Sequence, residues 1–181
     1  MFFWPIALVV VPTALLYAAL LVLNDYLFGS LWFSPGETWV FLPSGLRLIA
    51  ILLFVEWGAL GIIVGSLSVL GVQGSEHDSL TAIGAALISG LAPLVARRVC
   101  LELAQIDLQL KSLTATGLLR VALIFSSLGA VLQQCWFAWS GSAEHFFMQL
   151  LIALTANMVG ALLVLYACKL VLQFSAYLRK G

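Results

Sequence analysis

The chain has 181 residues, of which 63% are apolar and 9% charged, against about 25% charged in soluble domains, and this excludes a water-soluble globular protein. Eight basic and eight acidic residues cancel, so net charge offers nothing to nucleic acid. Cys100, Cys135 and Cys168 are too scattered for a disulfide framework or a zinc knuckle.

Such a composition belongs to one all-α, polytopic integral membrane domain spanning residues 1–181, with the lipid bilayer as its first partner. Residues 5–28, PIALVVVPTALLYAALLVLNDYLF, have no Lys or Arg before them, as a signal peptide would. They read as a first span closing at Asn24-Asp25, with Pro12 tolerated inside. GSLWFSPGET, residues 29–38, has the turn chemistry of an interfacial loop.

The long apolar run that follows, WVFLPSGLRLIAILLFVEWGALGIIVGSLSVLG, exceeds the ~20 residues that cross a bilayer and suits two crossings. The expectation is a helical hairpin with arms at 39–55 and 58–72, folded at Glu56-Trp57-Gly58. Glu56 sits where an acidic group favours the start of the second arm. Gly58, Gly61 and Gly65 give that arm a small-residue face for close helix approach.

After the polar turn QGSEHD, residues 79–96 form another span, stopped by Arg97-Arg98. Residues 97–111 mix Leu and charge, and read as an amphipathic connector along the membrane surface. Two further spans, 114–139 and 146–172, bring the bundle to about six transmembrane helices.

With that count, Arg97, Arg98, Lys111, Arg120, Lys169, Arg179 and Lys180 fall toward one side. Asp25, Glu37, Glu76, Asp78 and Glu144 fall toward the other. The positive-inside rule then places both termini and the Glu56 corner in the cytoplasm, with the loops around Gly36, Glu76 and Ser142 outside. Trp4, Trp32, Trp39, Trp57, Trp136 and Trp139 lie near span ends as an aromatic belt. His77 and His145 are loop histidines beside acidic residues, and no metal site is read from them.

Arg47 is the exception to the charge pattern. It lies roughly 12 Å below the outer end of its helix by helical rise, in the same half of the bilayer as Gln133, Gln134 and Asn157. A buried arginine in a span costs at least ~2.5 kcal/mol unless it is paired or hydrated. Three partners suit it: an ion pair with Asp25, a network with the three amides, or an anionic or polar ligand. The Pro43-Ser44-Gly45 break favours the third, because a helix restarting there aims backbone N–H groups into the same region.

Nothing points to catalysis or to a cofactor. No metalloprotease, nucleophile-elbow or phosphate-loop motif occurs, there is no pair of intramembrane carboxylates, and both histidines are in loops.

The element Trp39-Val40-Phe41-Leu42-Pro43-Ser44-Gly45 resembles the Trp-x-Pro-x-Gly-like element that opens a span in the first-type membrane-associated sensor domain family. Ala156-Asn157-Met158-Val159-Gly160-Ala161-Leu162-Leu163 is similar to that family's final Gly-Asp-x-x-Gly-x-Leu-Leu-like segment, with Asn157 in place of Asp. The resemblance implies a non-catalytic bacterial inner-membrane module for sensing, ligand recognition or scaffolding. Such a module works through a separate membrane or cytoplasmic partner protein. Two alternatives stand beside it: a substrate-binding component of an energy-coupling-factor transporter, on size and a polar pocket, and an accessory subunit of a larger membrane complex, for which glycine faces and few loops suffice.

Overall fold

A computed structural model of the chain describes residues 3–34, 37–73, 79–103, 115–141 and 145–178. Its architecture is all-α. Helix α1 (Phe3–Phe28) leads through a 3-10 turn at Gly29–Leu31 into two short antiparallel strands, β1 (Trp32–Ser34) and β2 (Glu37–Thr38), which pair Trp32 with Thr38 and Ser34 with Glu37. Helices α2 (Pro43–Gln73), α3 (Ser79–Arg98), α4 (Ala115–Trp139) and α5 (Phe146–Leu178) follow, with a π-helical turn at Val99–Leu103 after α3.

Five helical segments are long and apolar enough to cross a membrane: Ile6–Phe28, Pro43–Val72, Ser79–Glu102, Thr116–Trp139 and Phe146–Cys168. Their outward faces carry exposed leucine and valine, such as Leu8, Leu15, Leu53, Leu91 and Leu151. Lipid covers such faces at no cost, whereas water would not. The chain is a multi-pass membrane protein.

Where the sequence suggests arms at 39–55 and 58–72, the structure has two helical segments joined across a kink, together α2. It would be ~46 Å long if straight. It is not straight, because Val55 adopts φ 47° and ψ −113° inside it. Past that break the chain doubles back, and Gly58 lies against the Ala50 carbonyl. Residues that far apart on a straight helix would be separated by ~12 Å of rise.

The two parts of α2 also pack on α1 in opposite senses. Leu42 meets Asn24 and Arg47 meets Tyr17, so the first part runs antiparallel to α1. Gly61 meets Thr13 and Gly65 meets Tyr17, so the second part runs parallel to it. Of the glycine face of the second part, α1 occupies Gly61 and Gly65, while Gly58 meets the first part of α2. Glu56 and Trp57 are exposed at the bend.

The same contacts order the rest of the bundle. Gly90 of α3 packs on Ala59 and Ile63, and Ser66 and Ser89 stand 3.3 Å apart in the same interface. The Trp136 indole crosses Gly84 and donates to the Thr81 carbonyl at 2.9 Å, joining the end of α4 to the start of α3. Trp136 is therefore an interhelical clasp, while Trp39, Trp57 and Trp139 are exposed. The core is a single cluster in which Leu48, Ile51, Ile62, Val121 and Ala122 are fully buried.

Several element ends differ from expectation for local reasons. α2 starts at Pro43 rather than Trp39, since proline's fixed φ and missing N–H suit the first helical position. Residues 39–42 are non-helical, so Pro-Ser-Gly opens the helix instead of interrupting it. α5 continues to Leu178, past the expected 172. Of the connector 97–111, Arg97 and Arg98 end α3 and Val99–Leu103 form the π turn. The remainder of that connector, His77 with Glu76 and Asp78, Glu144, and Arg179 with Lys180 lie outside the described residues.

Candidate ligand-recognition site

The non-helical stretch ahead of α2 builds the site. Backbone polar groups at membrane depth need partners, and for two of them a neighbouring helix supplies one. The Leu42 N–H donates to Asn24 Oδ1 at 2.8 Å, and the Phe41 N–H donates to the Ala156 carbonyl at 3.2 Å. Thr38 Oγ1 donates to the Val40 carbonyl at 2.6 Å. The strand-like segment can lie this close to α5 because Gly160 has no side chain: a Cβ there would overlap the Phe41 carbonyl.

Phe41 is thereby held beside Arg47. The guanidinium carbon of Arg47 lies 4.9 Å from the Phe41 ring centroid and 5.6 Å from that of Tyr17. Its Nε donates to the Tyr17 hydroxyl at 2.7 Å. Tyr17 is fully buried on α1. Rings within ~6 Å stabilise a cation electrostatically, but they do not neutralise it. Among the described residues Arg47 makes no ion pair.

A cavity of about 80 Å³ opens beside this group, lined by Arg47, Phe41, Gln133, Gln134, Phe137 and Asn157 among others. A second, smaller space of about 20 Å³ lies against Arg47 and Asn157 on the core side, bounded by Ser44, Ser126, Pro93 and Gly129. That volume is enough for one water. Leu48 and Phe125 also border it, and beyond them lies the apolar core.

The sequence-predicted residues divide accordingly. Arg47, Gln133, Gln134 and Asn157 share the larger cavity. Ser44 borders the smaller one, with its Oγ 2.6 Å from the Asn157 carbonyl and 2.8 Å from that of Phe41, so its proton serves one of them at a time. Pro43 is buried in packing, and Gly45 sits under Val164 of α5. Neither of these two lines the larger cavity. Asp25 is exposed and forms no ion pair with Arg47. Its neighbour Asn24 is the residue turned inward, because adjacent helical positions are ~100° apart.

The first-turn donors of α2 are also accounted for. The Ser44 N–H bonds the Phe41 carbonyl and the Gly45 N–H bonds the Leu42 carbonyl, both at 3.1 Å. These N–H groups are engaged within the turn, which leaves the guanidinium as the positive group facing the cavity.

Tyr17 and Phe41 escaped the sequence reading. Tyr17 carries a usable signal, a phenol in the middle of an aliphatic span, because a buried hydroxyl seeks a hydrogen-bond partner. No protein family, curated protein or solved structure matches the chain.

Proposed function

We propose that the protein is a non-catalytic recognition module of a bacterial inner membrane. It binds a small polar or anionic group in the Arg47 cavity and acts through a separate partner protein. In this reading α2 crosses the bilayer twice, bent at Val55, so the bundle makes about six passages with both termini cytoplasmic. The opposite senses in which the two parts of α2 pack on α1 support the double crossing. The clustering of Arg97, Arg98 and Arg120 toward one end of the bundle supports the orientation.

One observation carries the functional reading: a half-buried arginine, partnered by a phenol and aromatic rings and by no carboxylate among the described residues, faces a cavity ringed with amides. An intramembrane charge of this kind is costly to keep and marks a functional site by default. The apolar floor at Leu48 and Phe125 favours a binding site over a conduit. The two stretches that resemble the sensor-domain family also meet here, since Phe41 and Ser44 bond to Ala156 and Asn157.

Native mass spectrometry of protein extracted in mild detergent tests the proposal. Wild type should carry a small molecule that Arg47→Ala loses while keeping the melting temperature of ligand-free wild type. Retention of that molecule, or loss of thermal stability with nothing bound to wild type, would assign Arg47 a purely structural role.

A further inference from the structure

Resting on that reading, we infer that the group taken by the cavity is an oxyanion, a carboxylate or a phosphate head. The terminal Nη1 and Nη2 of Arg47 grip it end-on, and Tyr17 is the positioning residue. A guanidinium offers two bidentate edges, one formed by Nε with an Nη and one by the two Nη groups. The Tyr17 hydroxyl at 2.7 Å occupies Nε, so the first edge is closed and the second remains. The Phe41 and Tyr17 rings at 4.9 and 5.6 Å restrict the guanidinium further.

Charge selects the class of ligand. Among the described residues the cavity lining has one cation, three amides and no carboxylate. A neutral ligand would leave the arginine's charge uncompensated in a half-buried setting, whereas an anion removes it. Amide N–H groups of Gln133 and Asn157 suit the remaining oxygens.

Volume sets the limit. About 80 Å³ accommodates several waters, at about 10–15 Å³ each, or one carboxylate or phosphate. It falls well short of the roughly 300–1,000 Å³ of sites that enclose a whole drug-sized ligand. The rest of the molecule therefore stays outside, as with a short free acid or with a lipid whose tails remain in the bilayer.

The test uses the full chain in phosphatidylcholine nanodiscs, titrated at constant ionic strength with acetate, inorganic phosphate and acetamide, the neutral counterpart of acetate. Phosphatidylglycerol discs form a separate arm. Acetate or phosphate should raise the melting temperature saturably, acetamide should not, and Arg47→Gln should abolish the response. A response confined to phosphatidylglycerol discs and lost in Arg47→Gln identifies the oxyanion as a lipid head.

Tyr17→Phe keeps the ring and frees Nε. It should weaken oxyanion binding about tenfold and narrow the preference for acetate over acetamide, a readout that loss of packing alone would not change. Equal stabilisation by acetamide and acetate would overturn the oxyanion assignment while leaving a polar pocket in place. No response to any probe or lipid, with a neutral molecule retained by wild type in native mass spectrometry, would overturn it as well. An unchanged affinity in Tyr17→Phe would remove Tyr17 from its role.

Discussion

Gly160→Ala is a sharp test of how the site is assembled. The missing side chain lets residues 41 and 42 lie directly on α5, and an added methyl would coincide with the Phe41 carbonyl. That contact is with backbone, so no rotamer change relieves it. Overpacking of this kind costs about 1–3 kcal/mol. Displacing the segment also endangers the 3.2 Å bond from Phe41 to Ala156, a loss of about 0.5–1.5 kcal/mol. Alanine's better helix propensity returns up to ~1 kcal/mol, leaving a net destabilisation of about 2 kcal/mol. For chains of this size that is a drop of roughly 4–8 °C in melting temperature, measurable by tryptophan fluorescence in detergent. Ligand affinity should fall with it, because Phe41 would leave Arg47. A melting temperature equal to or above wild type would refute the packing of this segment on α5.

Other substitutions read neighbouring features. Gly129→Ala should be neutral or stabilising by up to ~1 kcal/mol, because the nearest atom to its added methyl is Asn157 Nδ2 at 3.8 Å; a lower melting temperature would contradict this. Asn24→Leu removes the acceptor of the Leu42 N–H and should cost about 1–3 kcal/mol in the same assay, with Asn24→Asp closer to wild type. Val55→Gly should stabilise by about 1 kcal/mol, since a β-branched residue at φ 47° is strained and glycine is not; a destabilised variant would show that the bend is not held at Val55. Gly58→Ala should destabilise strongly, as its methyl would meet the Ala50 backbone.

What could be read ahead of the structure followed from period and depth. Helical rise alone brings Arg47, Gln133, Gln134 and Asn157 into the same half of the bilayer, and the structure places them around one cavity. Depth does not fix azimuth. Asp25 and Asn24 lie at nearly the same height, and only packing decides that Asn24 faces inward. The bend was legible from length, and the expected corner Glu56-Trp57-Gly58 directly follows the distorted residue, Val55. What the sequence did not show is that Gly58 is required by the approach of Ala50. Gly160 and Gly45 were legible as small residues, but the Phe41 backbone and Val164 that need them come from distant parts of the chain.

The proposed function rests on α2 crossing the bilayer twice. Membrane-impermeant thiol labelling of Glu56→Cys and His145→Cys, each introduced into a Cys135→Ser, Cys168→Ser background that keeps only the buried Cys100, tests this directly. Glu56→Cys should label only from the cytoplasmic side and His145→Cys only from the opposite side. Were α2 a single crossing, position 56 would lie at mid-membrane, and its resistance to reagent from both sides would contradict the fold on which the site is built.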